Sequence, residues 1–288
     1  MKRRSIDYLI DTAEQISQTN ALEARKIAFI PRFMATVSLP ASRPEGNEFI
    51  RRNGNRTLTM LSSSETGLPF GTMPRLALCA ITTLTKQGQG NVVQLGASST
   101  QFLNTMGKSC TGGRNGSLTH AREQLKKLLS CTIQLTQQTP QSWEIESLRI
   151  SQRASMLWQP TSPGQWQSTL ELTSEFFNDV QRHAVPVDLR ILYAFSHYPL
   201  AMDIYCWLTY RYFSLTKPTT VSWGDLMEQF GNGYSRGSHF KDKFTNALDR
   251  VSLLYPQARF TLDSRGIHLL PSPTHIQPRD ISHFLSDC

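Results

Sequence analysis

SRGSHFKDKFTNALDRVSLLYP, residues 235–256, spaces Phe240, Phe244, Ala247, Leu248, Val251, Leu254 and Tyr255 three and four positions apart. That spacing lines them along one stripe of an α-helix, and an apolar stripe of this kind faces a core. At 3.6 residues per turn, Ser238, Asp242, Thr245, Asn246 and Asp249 fall opposite the stripe, with His239 and Lys241 on its flanks. These short polar groups carry the donors and acceptors that read base edges, and they sit in the half of the helix that enters the major groove in helix-turn-helix proteins. Arg236, Lys241, Lys243 and Arg250 have the reach to contact phosphates on either side. Asp242 suits a cytosine amino group, and the helix N-terminus itself favours a phosphate. The competing reading is a solvated face, so the neighbours decide.

Upstream lie PLAMDIYCWLTYRYFSL, an apolar helix opened by Pro199, then the strand TTVSW, the helix WGDLMEQF and a GNG turn. Downstream the strands ARFTLD and GIHLL form a hairpin bearing Arg259 and Arg265. Helix, strand, helix, helix, hairpin is the order of a winged helix-turn-helix domain, with the third helix and the hairpin presented to DNA.

The order occurs earlier as well. PRLALCAITTLTKQ is a buried helix started by Pro74, NVVQL a short strand, and Ser98 or Ser99 caps a helix through about Met106. LTHAREQLKKLLS follows, with TIQLTQQ and WEIESLRIS as its flanking hairpin. The stripe of that third helix leaves Asn115, Gly116, Thr119, His120, Glu123 and Lys127 outward, with Lys108 and Arg114 at its entrance. DNA contact and an ordinary charged surface are equally open readings here. The expected fold is therefore α+β, two tandem winged helix-turn-helix domains behind an N-terminal helical extension. The extension covers residues 1–31, with a helix from Ile6 to about Lys26 capped by Ser5. The domains cover 32–160 and, with a C-terminal tail, 161–288, divided in the Pro/Gly/Ser-rich QPTSPGQW.

Composition agrees with a polyanionic partner. The 288 residues carry a formal charge of +8, with 18% charged and 39% hydrophobic residues, as in a globular protein. Cys79, Cys110, Cys131, Cys206 and Cys288 show no metal or disulfide spacing and read as reduced thiols, which implies the cytoplasm. MKRRSIDYLIDTAEQ lacks the apolar region of a signal peptide, and no apolar run is long enough to span a bilayer, so no membrane partner is expected. TGGRNGS and GNGYSRG lack the Lys-Ser/Thr ending of a phosphate loop, His183, His197, His239 and His268 stand apart, and no GxSxG elbow occurs. Neither cofactor, bound metal nor catalysis is expected. Trp207, among Leu200, Ile204 and Leu208, reads as core rather than as a base-stacking platform.

GLPFGTMPRLALCAITT, TGGRNGS, VPVDLRILYAFSHYPLAMDIYCWLTYR and VSWGDLMEQFG, continued through FKDKFTNALDRVSLLYP and GIHLLPSP, resemble the RepA C-terminal family of plasmid replication initiators in motif order. The likeness runs from roughly Arg32 to Ser272, with Phe70 where the family commonly has Tyr. It implies two winged-helix domains of the RepE-like kind and sequence-specific binding to double-stranded origin DNA with repeated sites, or iterons. It also implies duplex opening, recruitment of host replication initiation or helicase-loading proteins, and a homodimer contact or backbone contacts from the first unit. A repressor acting only on its own promoter would use the same fold and the same helix.

Overall fold

The computed structural model describes residues 6–286 except 89, 97, 108–110, 112, 114–115, 157–167 and 232–236. Arg236, Lys108, Arg114 and Asn115, the helix cap Ser5 and the expected boundary in QPTSPGQW therefore lie outside the described residues.

The chain opens with α1 (Ile6–Gln18), shorter than its apolar pattern suggests. It ends in turns that include Arg25 at φ 50° and passes into β1 (Ile27–Ile30), whose IAFI is buried throughout. A fully apolar run this short is more stable as a paired strand, and β1 pairs antiparallel with β9 (Val185–Asp188) far along the chain. A short α2 (Arg32–Thr36) leads to the hairpin β2 (Glu48–Asn53) and β3 (Arg56–Leu61).

The first unit then runs α3 (Thr72–Gln87), β4 (Val92–Gln94), α4 (Ser99–Thr105) and α5 (Ser117–Ser130). Ser98 caps α4, its side chain accepting from Gln101 N at 3.0 Å. Next come β5 (Thr132–Gln138), β6 (Trp143–Leu148), β7 (Ser151–Ser155) and β8 (Thr169–Leu172). The β5–β6 hairpin is not the flanking wing expected from the sequence. Its β5 pairs along all of β3, giving a four-stranded sheet in the order β2-β3-β5-β6. The strand that pairs with β4 is β8, in a three-stranded sheet ordered β4-β8-β7. Thus β8, which the sequence division places with the second unit, hydrogen-bonds to the first.

The chain continues through α6 (Ser174–His183), β9 and α7 (Leu189–Ala194) to the second unit. That unit is α8 (Pro199–Ser214), β10 (Thr219–Ser222), α9 (Trp223–Phe230), α10 (Gly237–Leu254), β11 (Phe260–Leu262) and β12 (Gly266–Leu269), and a last helix α11 (Pro278–Ser286) follows. Its sheet has the order β10-β12-β11. In each unit the strand after the first helix pairs with the last strand of the unit, and that last strand also pairs with the one before it. This repeated connection makes the fold α+β with two winged helix-turn-helix units.

One continuous hydrophobic cluster includes side chains of both units and Leu9 of α1. Inside it, Arg75 of α3 is fully buried and forms a two-pronged ion pair with Asp203 of α8, Nε to Oδ1 and Nη2 to Oδ2 both at 2.7 Å. Arg75 also donates to the carbonyls of Leu39, Pro40 and Gly71. Burial pushes the Asp203 carboxyl up, against the opposing pull of Arg75 and Arg51. Trp207 is 3% exposed and packs edge-on to Phe230, a core residue as expected. Cys79, Cys131 and Cys206 are buried free thiols, and burial raises Cys79 and Cys131 to about 12.

Candidate nucleic-acid interface

Helix α10 buries Phe240, Phe244, Ala247, Leu248, Val251 and Leu254, the stripe read from the sequence, and Tyr255 just beyond it is buried too. The stripe packs mainly on α8 and α1, with α9 beside it. On the other side Ser238, His239, Asp242, Lys243, Asn246 and Asp249 are exposed, and Thr245 is half-buried. Asn246 Nδ2 donates to the Asp242 carbonyl at 2.7 Å, which fixes the amide over the preceding turn while its Oδ1 and second N–H are not used in that bond. Two of the expected phosphate contacts rest on rings at the edges of this face. Lys241 Nζ stands 5.2 Å from the Trp223 ring centroid, and the Arg250 guanidinium 4.6 Å from that of Tyr198. A cation held over an aromatic face is restrained in direction by its attraction to the ring.

The β11–β12 turn carries the wing. Arg265 is exposed, with Nε 3.1 Å from Asp263 Oδ2, and its main-chain N–H donates to Asp263 Oδ1 at 2.8 Å. The same carboxylate contacts His268 Nε2 at 2.9 Å, and His268 Nδ1 meets Thr220 Oγ1 at 2.8 Å. These contacts hold the Asp263 carboxyl well below the usual carboxylate range, first through His268 and further through Arg265 and the Gly266 amide. Arg259, just before β11, is exposed, and its guanidinium donates to Pro271 O beyond the end of β12. At Gly266 a Cβ would lie 2.0 Å from Val221 O, so only glycine lets β10 pass against the turn. Tyr212 of α8 secures the base of the wing, its hydroxyl donating to Arg259 O at 3.0 Å.

In the first unit the candidates are engaged differently. Thr119 donates to Gly113 O at 2.8 Å, and Ser117 and Thr111 exchange hydrogen bonds that close the loop before α5. Lys127 is half-buried with Nζ 5.2 Å from the Phe70 ring, and Gln124, which the sequence reading left out, is buried and accepts from Phe70 N at 2.9 Å. His120, Arg122, Glu123 and Lys126 are exposed on this helix. Also missed was Trp223, which lies between α10 and the wing; an aromatic at the strand-to-helix junction VSWGD is the only signal the sequence offers for it.

A family model described as plasmid encoded RepA protein matches residues 68–225, more than half of the chain. The chain belongs to the RepA family. The matched span covers the first unit and the second as far as the start of α9; α10 and the wing follow it. Two solved structures share the fold of the RepA-family chain. A selenomethionine crystal structure of domains 2 and 3 of RctB is 13% identical, covers 85% of this chain and 98% of its own, and gives a TM-score of 0.56. A second crystal structure of RctB domains 2–3 is 15% identical, covers 82% and 94%, and gives 0.52. No curated protein sequence matches the chain. Among the described residues no helix is long and apolar enough to cross a membrane.

Proposed function

We propose that the protein initiates plasmid replication by binding repeated double-stranded origin sites through α10 and the β11–β12 wing. The observation that carries this reading is the exposed polar face of α10, Ser238, His239, Asp242 and Asn246, on a helix whose other side is anchored in the core. Arg250, Lys241 and Lys243, with Arg265 in the wing, supply positive charge on either side of that face, and the whole chain carries +8. Displacement of counterions from phosphates gives salt-dependent affinity, and the polar face selects the sequence. Side-by-side binding at repeats bends or untwists the duplex and lowers the cost of opening an adjacent AT-rich tract. Assembly as a homodimer, a cytoplasmic location and recruitment of host initiation or helicase-loading proteins belong to the same reading and rest on the family. The protein acts in it as a binding and remodelling factor with no catalytic step of its own.

The test uses the purified chain with supercoiled DNA carrying its plasmid's origin repeats beside the AT-rich tract, read by duplex-binding titration and by permanganate reactivity of unpaired thymines. Specific binding with new reactivity in the tract is expected. Specific binding without reactivity would leave a repressor, and equal affinity for scrambled DNA would remove the interface.

A further inference from the structure

Trp223 connects the two halves of the candidate interface. It opens α9 at a fixed point, because Ser222 Oγ accepts from Asp225 N at 3.1 Å while Asp225 Oδ2 accepts from Ser222 N at 3.3 Å, a reciprocal cap. From there the Trp223 main-chain N–H donates to Arg265 O at 3.1 Å, and its indole Nε1 donates to Asp263 O at 3.0 Å. Both acceptors lie in or beside the wing turn. The same ring meets α10: Phe244 approaches it edge-on, with centroids 5.9 Å apart and planes at 88°, and Lys241 Nζ stands 5.2 Å from its centroid.

We propose that Trp223 is a positioning residue that locks the wing to the recognition helix, so that Arg265 and the polar face of α10 meet a duplex in one fixed register. The inference rests on the DNA-binding reading above and names the residue that makes its two contact elements act together. A phosphate contact from the wing sets where the base-reading groups fall, so looseness between wing and helix blurs discrimination before it affects total affinity. The fold gives Trp223 this leverage because the turn is short. Arg265 and Gly266 both donate to Asp263 Oδ1, and the Gly266 approach to Val221 O leaves the turn no room to shift toward β10. The indole donor then fixes the remaining freedom, that of the turn relative to α9 and α10.

Two full-length variants test the role: Trp223→Phe, and β-benzothienylalanine at position 223, which keeps the bicyclic shape and replaces only the N–H by sulfur. The readouts are amide hydrogen exchange at residues 263–266 against α8, and the ratio of affinities for cognate and scrambled duplex. Faster exchange confined to the turn is expected, with a loss of the ratio up to about tenfold, the scale of one hydrogen bond. Turn exchange and an affinity ratio equal to wild type in the benzothienyl protein would overturn the role of Trp223 alone. A wild-type chain that fails to separate the two duplexes would instead remove the DNA-binding reading.

Discussion

The two winged-helix units share a connection order and a strand order, yet the polar side chains at the start of the third helix are engaged differently. On α10 the polar side chains of the first turns are exposed, and the long cations are steered by rings at the edges. On α5 the polar side chains of the first turn bond to the loop that precedes it, and Lys127 lies over Phe70. The sheets differ too. The second unit closes its wing with a three-residue turn between β11 and β12, whereas the first inserts the β5–β6 hairpin between its third helix and the β7–β8 pair that joins β4. A repeated backbone plan therefore does not repeat the bonding of the side chains at the start of its third helix.

The sharpest way to break the comparison is to ask whether the copies are separate bodies. Arg75 and Asp203 lie 128 residues apart, one in each unit, and the guanidinium is fully buried. Asp203→Ala leaves that charge without its partner and beside Arg51, and removing one member of a buried pair costs roughly 3–5 kcal/mol. Urea unfolding followed by tryptophan fluorescence and by circular dichroism checks it. One shared transition, shifted by that amount, is expected, with only part of the loss recovered when Arg75→Met accompanies Asp203→Leu, because the carbonyls of Leu39, Pro40 and Gly71 then lose the guanidinium donor. A transition that splits in two would show the units folding independently.

A second difference is the segment after β12, which threads back over the second unit and puts His275 against Tyr205 and Tyr255 of its core, with Tyr205 Oη 2.9 Å from Nδ1. Burial lowers His275 from its ordinary 6.5 to about 4, with Asp188 opposing and Arg190 assisting. The unfolded chain thus binds the proton more readily. The stabilisation is complete above about pH 6.5 and is lost as pH falls toward 4, about 3 kcal/mol over that window. Unfolding free energies of wild type and His275→Gln at pH 7 and pH 4.5 measure it, and the variant is expected to show a flatter profile. Parallel profiles would place the pH sensitivity elsewhere.

The contrast also explains what could be read in advance. The α10 stripe was legible because a 3.6-residue period records burial locally, and Phe240, Phe244 and Val251 need no distant partner to reveal their face. The pairing of β1 with β9, and of β4 with β8, joins strands far apart in sequence whose local patterns do not name each other, so the first wing was read one hairpin too early. The Arg75–Asp203 pair is hidden for the same reason: nothing near GTMPR in the sequence names a partner that lies 128 residues on. For Lys241 and Arg250, side-chain length indicated reach toward phosphates, and only the fold shows which ring each lies on.

The binding contrast itself calls for paired substitutions. Asp242→Ala and Asn246→Ala, on the exposed face of α10, are expected to reduce discrimination between cognate and scrambled duplex by roughly 1–3 kcal/mol each, measured by competition titration. Lys243→Ala is expected to weaken both duplexes alike and to reduce the salt slope by about one. His120→Ala, exposed on α5, is the matched control, and a loss there equal to that at Asn246 would make the two helices equivalent readers.

The smallest effect is expected at Thr119. Its hydroxyl donates to Gly113 O at 2.8 Å, so it helps close the loop before α5. Thr119→Val keeps the shape and β-branching but removes the donor, which leaves the Gly113 carbonyl to water at this exposed site and costs about 1 kcal/mol of stability. Discrimination between duplexes should not change, because the hydroxyl's one proton is already given to a partner inside the protein and is donated to a ligand only by leaving it. A variant of unchanged stability that binds cognate DNA more weakly would reverse this assignment: the Gly113 bond would then be one the hydroxyl gives up on DNA, and α5 would join α10 as a reading helix.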